Sequence, residues 1–519
     1  MDSGIIFEAS KAGELTCSFK GKYLHSKYNP LAEGEKFVQN LQADFSPLCV
    51  FVIEPALSYC AEFLRKRFPS SKICAVRILK EFDKSNQVWD KVFYLDGELP
   101  LSERLFDSLG EENLISSLVF DWNPTKQAFP EENLKIWSEI KKSILKSRDV
   151  LGTRAYFSKR WFKNALIFTS RIKSSVKPND FGNFSVAGRA NIPVIIVSSG
   201  PSLETSIPFL KKHRDSFFLL AVSSSFMPLL RNKIVPDMVI STDGGFWAKK
   251  HLDFPKNDCD TIFALSAESA VPKDFFETKT ILPMVYTDGA SNQLIAGEAG
   301  KSLFRSWGFD YTSSLRCGTV AGTALDFALN LTSGNVYLCG QDLAPAPGFQ
   351  HAQPNALEIE NSARDFRFRN AETRISSSRF NSAPSLEIYR NWFITNSPLY
   401  SKRVFRLSDN FSYEFSLGKI TDVDWEEFEN KEHLSIQKSP KIKKIEFNET
   451  KSDSSRERKK ADILEALKKL SGKTAFTEEI FPLESIQIKR SLAENEENEK
   501  TQRLEEKITN FMKECEKLI

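Results

Sequence analysis

With 519 residues, 41% of them hydrophobic and 27% charged, the chain has apolar material for two to four packed domains. Its 71 basic and 68 acidic side chains nearly cancel to +3, which lacks the basic excess of a dedicated nucleic-acid binder. No apolar run approaches the roughly 18–20 residues that cross a bilayer, and no basic-then-apolar leader opens the chain, so a cytoplasmic protein is expected, with neither nucleic acid nor membrane as partner.

In chain order, Leu48–Ile53 reads as a short apolar strand. Leu57–Lys66 has helical spacing, with Leu57, Cys60, Ala61 and Leu64 on one face. Ile73–Ile78 and Val92–Leu95 read as further strands, so residues 1–150 are expected to form a small open parallel sheet, a scaffold domain. The turn Glu54-Pro55-Ala56 has no glycine and carries no dinucleotide-binding fingerprint. From Glu131 to Ser175 the spacing predicts helix, with Trp137, Ile140, Ile144 and Leu145 on one face, and Val176–Arg189 predicts a loop.

A clear alternation follows. Strands are expected at Val194–Ser198, Phe218–Ser223, Met238–Thr242, Ile262–Ser266, Leu282–Tyr286 and Val336–Gly340, with helices starting at Ser202, Ser225 and Gly318. The fold class is α/β: a Rossmann-like parallel sheet over residues 151–400, preceded by the smaller α/β domain and followed by a mainly helical region, 401–519. Right-handed crossovers would bring the Gly200, Ser223, Asp243 and Gly340 regions to one sheet edge. In the last region Lys438–Lys444 is a basic run. Ile463, Leu464, Leu467 and Leu470 form one helical stripe, and Leu504, Ile508, Phe511 and Cys515 another. The eight cysteines (17, 49, 60, 74, 259, 317, 339 and 515) show no paired or metal-ligand spacing and read as reduced.

Four stretches carry chemistry. In Ser199-Gly200-Pro201-Ser202, small residues let a phosphate or ribose approach the backbone, Ser202 is a natural helix cap, and the helix behind it offers unpaired N–H groups. Glu204 would compete with an anion for that helix end. Ser223-Ser224-Ser225 places hydroxyls at a strand end, where they hold a sugar or cap a helix. Asp243 stands before a Gly-Gly turn, too far from Asp237 to share a metal, and no metal site is expected. Gly318-Thr319 opens a helix lined by Ala321, Gly322, Ala324 and Ala328. Gly340-Gln341-Asp342 then leads through Pro345, Pro347 and Gly348 to His351, one of only five histidines and a candidate general base.

Gly200-Pro201-Ser202-Leu203, Pro236-Asp237…Asp243, Gly318-Thr319-Val320 and Gly340-Gln341-Asp342-Leu343…His351, with the opening Ser26-Lys27-Tyr28-Asn29-Pro30, together resemble the motility-associated factor (Maf) glycosyltransferases of flagellin glycosylation. That family is similar in turn to bacterial sialyltransferases that use CMP-activated sugars, a GT-A/sialyltransferase-like fold. The resemblance implies transfer of a nonulosonic acid, pseudaminic or legionaminic in type, from CMP to flagellin Ser/Thr hydroxyls. His351 would take the hydroxyl proton and Asp342 orient the loop or donor. Ser199, Gly200, Pro201, Ser202, Ser223, Asp243, Gly318, Thr319, Gly340 and Gln341 would bind donor. No cofactor is required, and an oligomer is compatible with the reading. The first glycine of the sialyltransferase Gly-x-Gly-Pro-Ser-Leu turn is Ser198 here, which puts a hydroxymethyl where the phosphate would approach. The same domain also resembles archaeal magnesium-dependent pterin pyrophosphokinases. A non-catalytic flagellin-binding or export-assisting protein is the third reading.

Overall fold

The computed structural model describes residues 4–176, 192–253, 261–287, 289–297, 302–344, 349–380, 384–407, 415–433, 449–451 and 454–519. Cys259, the run Lys438–Lys444, Pro345, Pro347, Gly348, and all but the first residue of the loop expected at Val176–Arg189 lie outside them. The chain divides into two units, Met1–Ser158 with Thr477–Phe511, and Lys159–Phe476 with Met512–Ile519.

The first unit opens with an antiparallel meander, β1 (Ile5–Ala9), β2 (Leu15–Phe19) and β3 (Lys22–Tyr23). Its core is a parallel sheet of β4 (Cys49–Ile53), β5 (Lys72–Arg77), β6 (Lys91–Tyr94) and β7 (Ser117–Asp121), in the order β6-β5-β4-β7. Alternate residues of β4 face two cores. Cys49, Phe51 and Ile53 pack with Leu101, Leu105 and Ile140, whereas Val50 and Val52 pack with Cys60, Leu64 and Trp122. Burial on both faces makes such a strand a continuous apolar run. The helix expected from Leu57 begins at Ala61, because Glu54, Ala56 and Ser58 all take positive φ and form a tight turn first. On the long helix Pro130–Arg171, Ile140 is buried and Trp137 and Ile144 partly so. Leu145 is exposed instead of sharing their face, since one residue on from Ile144 turns about 100° around the axis.

The second unit is built on nine parallel strands among the described residues: β9 (Val194–Val197), β10 (Phe218–Val222), β11 (Met238–Ser241), β12 (Ile262–Ser266), β13 (Thr280–Tyr286), β14 (Thr312–Ser314), β15 (Val336–Cys339), β16 (Val404–Leu407) and β17 (Thr421–Val423). A separate antiparallel pair joins β8 (Ser174–Val176) to β18 (Glu449–Lys451). The sheet order is β14-β13-β12-β11-β10-β9-β15-β16-β17. The helix Val320–Leu331 buries its small face, Ala321, Ala324 and Ala328, in the core formed by Val194, Ile196, Leu220 and Leu338. Residues beyond 400 contribute β16 and β17, held by a pair in which the buried Arg406 donates through Nε and Nη2 to the half-buried Asp422 at 2.6 and 2.8 Å. Farther on, Ile463, Leu467 and Leu470 are buried on the helix Arg456–Ser471, and Leu504, Phe511 and Cys515 on Glu494–Glu516, as their spacing predicts. The seven described cysteines are buried thiols.

Candidate active site

From β9 the chain adds strands steadily toward β14, then returns to place β15 on the other side of β9. This reversal puts a topological switch point at the carboxyl ends of β9 and β15, the place where open α/β sheets bind ligands. Ser198 N–H donates to the Cys339 carbonyl at 2.8 Å and Gly200 N–H to the Gly340 carbonyl at 2.9 Å. A Cβ on Gly200 would lie 2.5 Å from the Gly340 oxygen and collide with the Asp342 carboxylate. Gly340 itself has φ +67°, and a Cβ there would strike the Ser198 oxygen. Two glycines thus let two strand ends touch.

Asp342 is buried beneath this turn. One carboxylate oxygen accepts from Ser202 N–H at 2.9 Å and the other from the Ser202 hydroxyl. Burial pushes its carboxyl up, opposed by the Ser202 bonds and the Arg406 charge. Ser202 was expected to cap the helix Ser202–Lys212. Pro201 occupies the cap position instead, without a side-chain bond, and Ser202 is the first helical residue. The cap comes from a distant element, because Asp342 puts a carboxylate on the helix end and satisfies one of its orphan donors. Leu203 N–H and Glu204 N–H donate to the Gly200 and Pro201 carbonyls at 3.0 and 3.1 Å. The unpaired N–H groups expected at this turn are therefore taken. Glu204 turns outward and accepts from Gln353 N–H at 2.8 Å. The Ser198 hydroxyl donates to Gln341 Oε1, so both side chains are buried against each other across the switch point.

What remains at the notch is hydroxyl chemistry. Ser199 Oγ and Ser224 Oγ are 2.8 Å apart. The helix here starts at Ser223, which is buried, two residues before the expected Ser225. Ser225 is structural, its hydroxyl donating to the Val197 carbonyl at 2.7 Å. The loop carrying His351 folds back onto the turn, with Ala352 N–H donating to the Ser199 carbonyl at 2.8 Å. Buried Asn355 accepts from Leu357 N–H at 3.0 Å. Burial holds the His351 imidazole below its usual value, with Glu358 opposing, which favours the neutral ring that a base needs.

A second imidazole escaped the sequence reading. His251, on the helix Phe246–Leu252, is 9% exposed, and its Nδ1 has no hydrogen-bond partner among the described residues. Burial, and next the His351 charge, push it down to about 4. Nothing in Lys249-Lys250-His251-Leu252 distinguishes it from an ordinary helix end. Asn355 was equally hidden, since only the folded loop brings it to the notch, whereas Ser224 belongs to the Ser223–Ser225 stretch that the sequence singled out.

Asp243, Gly318 and Thr319 lie with a different group, around the ends of β11 to β14. Asp243 is exposed and makes a local turn, one oxygen accepting from Gly245 N–H at 2.9 Å. Buried Glu268 accepts from Arg316 at 3.1 Å, and the Arg316 guanidinium sits 4.8 Å from the ring centroids of both Trp161 and Tyr286. Gly318 is exposed, and the Thr319 hydroxyl accepts from Ala321 N–H at 3.2 Å, so the helix begins at Val320 rather than Gly318. Three strand spacings of about 4.8 Å separate the ends of β11 and β15, putting Asp243 and Asp342 on the order of 14 Å apart along the edge. Among the described residues no three His, Cys, Asp or Glu side chains group to hold a metal.

The chain resembles known proteins in both sequence and fold. Over 99% of its length, and 92% of the other chain, it superposes on the Maf glycosyltransferase from Magnetospirillum magneticum AMB-1, with a TM-score of 0.51 and 12% identity. The chain has the Maf glycosyltransferase fold. Residues 167–347 match the family described as 6-hydroxymethylpterin diphosphokinase MptE-like. An uncharacterized protein of Treponema pallidum (strain Nichols) is 28% identical over 345 residues, which are 66% of this chain and 72% of that protein. A second from the same organism is 29% identical over 120 residues, 23% of this chain and 54% of its own. No helix among the described residues is long and apolar enough to cross a membrane.

Proposed function

We propose that the chain is a glycosyltransferase moving a nonulosonic acid, pseudaminic or legionaminic in type, from a CMP-activated donor to Ser/Thr hydroxyls of flagellin. The observation that carries this reading is the His351 loop bound back onto the Ser199–Ser202 turn at the switch point of a Maf-type fold. The nucleoside lies against the Ser199 and Ser224 hydroxyls. The N–H groups of the Ser202 helix are engaged, so the CMP phosphate stays beside the nucleoside at the Ser199 and Ser224 hydroxyls, and the sugar carboxylate falls to the other helix end, Gly318-Thr319-Val320. The acceptor oxygen attacks the anomeric carbon, the bond from that carbon to the CMP phosphate oxygen breaks, CMP leaves, and His351 takes the acceptor proton. Such a base contributes typically about 10²–10⁴-fold. Asp342 acts as a positioning residue that holds the turn. A leaving group with one phosphate needs no more charge than helix ends and hydroxyls supply, so no resident cofactor enters.

The match over residues 167–347 favours a second reading, a pterin diphosphokinase using magnesium. Against it stand the wide separation of Asp243 and Asp342 and the engagement of both Asp342 oxygens by Ser202. Thermal unfolding with CMP, UDP or ATP, with and without magnesium, separates the readings. CMP alone should stabilise; at 100 times its dissociation constant it adds about 2.7 kcal/mol. A magnesium-dependent ATP shift selects the kinase, and no shift with any nucleotide selects a binding-only, export-assisting protein. His351→Ala should abolish transfer yet keep the CMP shift, and turnover in that variant removes His351 from the role of base.

A further inference from the structure

Phe368 is 86% exposed, more than any other large hydrophobic side chain among the described residues. It sits at the tip of a small hairpin. Phe366 N–H donates to the Arg369 carbonyl at 3.0 Å and Arg369 N–H to the Phe366 carbonyl at 2.9 Å, leaving Arg367 and Phe368 as the two turn residues. The Arg367 guanidinium lies 5.9 Å from the Phe368 ring centroid. Phe366 is also exposed, at 58%. Two phenylalanines exposed at one tip forgo the stabilisation that burying their apolar area would bring.

The base of the hairpin is fixed. Arg374 donates through Nε and Nη2 to the two Asp365 oxygens, each at 3.0 Å, and through Nη1 to Glu358 at 2.6 Å. A planar guanidinium bound bidentately on one side and singly on the other holds a single geometry. The tip is therefore presented rather than loose. Arg374 offsets one of the two charges on Asp365 and Glu358, and the exposed Arg364, Arg367 and Arg369 around the two rings outweigh the one that is left, so the surface offered is apolar at its centre and cationic at its rim. The hairpin is also tied to the candidate site. It follows the helix Ala356–Ser362, which continues from the His351 loop, and Glu360 of that helix pairs with Lys250 at 2.8 Å, one residue from His251.

We propose that the hairpin Asp365–Asn370 is the docking element for the acceptor, and that it grips an acidic, partly apolar stretch of polypeptide. This rests on the reading of the chain as a transferase acting on a protein. The three exposed arginines select an anionic partner, and Phe368 gives it an apolar anchor. A lipid surface fits less well, because interfacial insertion draws on a broad apolar face and the hairpin offers only the two rings of Phe366 and Phe368.

Fluorescence anisotropy with the full chain tests the proposal, using a labelled peptide of repeated Glu-Ser-Leu and its counterpart with Lys in place of Glu. The acidic peptide should bind about tenfold more tightly than the basic one, and more weakly as salt rises. Phe368→Ser, and separately Arg367→Ser with Arg369→Ser, should each weaken it about tenfold while leaving the thermal midpoint and the CMP shift unchanged. Equal binding of the two peptides, or acidic-peptide binding that survives both variants, overturns the proposal. So does Phe368-dependent flotation with phosphatidylglycerol vesicles in the absence of peptide preference, which assigns the hairpin to a membrane. Phe368-dependent binding of the acidic peptide by a chain that CMP fails to stabilise supports the docking surface and removes the donor reading alone.

Discussion

Gly200 and Gly340 show how much of a site can depend on atoms that are missing. The two strand ends meet through Gly200 N–H and the Gly340 carbonyl, and a methyl on either residue would overlap the other side. Gly200→Ala must push Asp342 off Ser202 or separate β9 from β15. Overpacking of this kind typically costs about 1–3 kcal/mol. The expected result is a lower urea midpoint together with loss of the CMP shift. His251 gives a second test, in pH. Its imidazole is pushed down to about 4 from an ordinary 6.5, so the unfolded chain binds the proton more readily than the folded one. The stabilisation is complete above pH 6.5 and is lost as the pH falls from 6.5 toward 4, by up to about 3 kcal/mol. His251→Asn should flatten that acid limb, seen as a smaller drop in the urea midpoint between pH 7.5 and 4.5. An unchanged limb would mean that another group carries it.

At the scale of elements, the long buried strands were legible and the caps were not. Val194–Val197, Phe218–Val222, Met238–Ser241 and Ile262–Ser266 end within a residue of their expected bounds, because strands buried on both faces are apolar throughout. The short edge strand β14 is half exposed, and β16 and β17 carry Arg406 and Asp422, so none shows that signal. Helix starts moved for reasons outside local sequence. Ser202 looks like a cap by residue type, yet Asp342, 140 positions away, supplies the carboxylate. Thr319 does follow the local rule, and its hydroxyl caps the helix Val320–Leu331. Replacing it by alanine should cost about 0.5–2 kcal/mol, as cap losses do. If the anionic end of the donor sits at this helix, the same variant should also weaken CMP-sugar binding beyond its effect on stability. Calorimetric titration against the wild type reads the two effects apart.

At the scale of the molecule, one topology occurs twice with opposite contents. In the first unit β4, β5 and β6 follow in sequence before β7 returns to the far side of β4, so this sheet too has a switch point at a strand's carboxyl end. There the crevice is filled by the chain itself. Arg77, fully buried, donates to Glu54 at 2.9 Å, to the Ala56 carbonyl at 2.7 Å and to Ser58 at 2.7 Å, drawing the turn after β4 down through three positive-φ residues. The second sheet has glycines and serines at the equivalent place, with the Ser199 and Ser224 hydroxyls paired across the turn and, among the described residues, no ion pair filling it. The turn Glu54-Pro55-Ala56, which lacks the glycines of a dinucleotide-binding fingerprint, is closed instead by a buried ion pair across its switch point. Arg77→Ala would leave Glu54 buried without its partner, an arrangement that typically costs about 3–5 kcal/mol. Unfolding followed by a probe in the first unit, such as Trp122, should move to much lower urea. CMP stabilisation of the second unit should persist in the same variant.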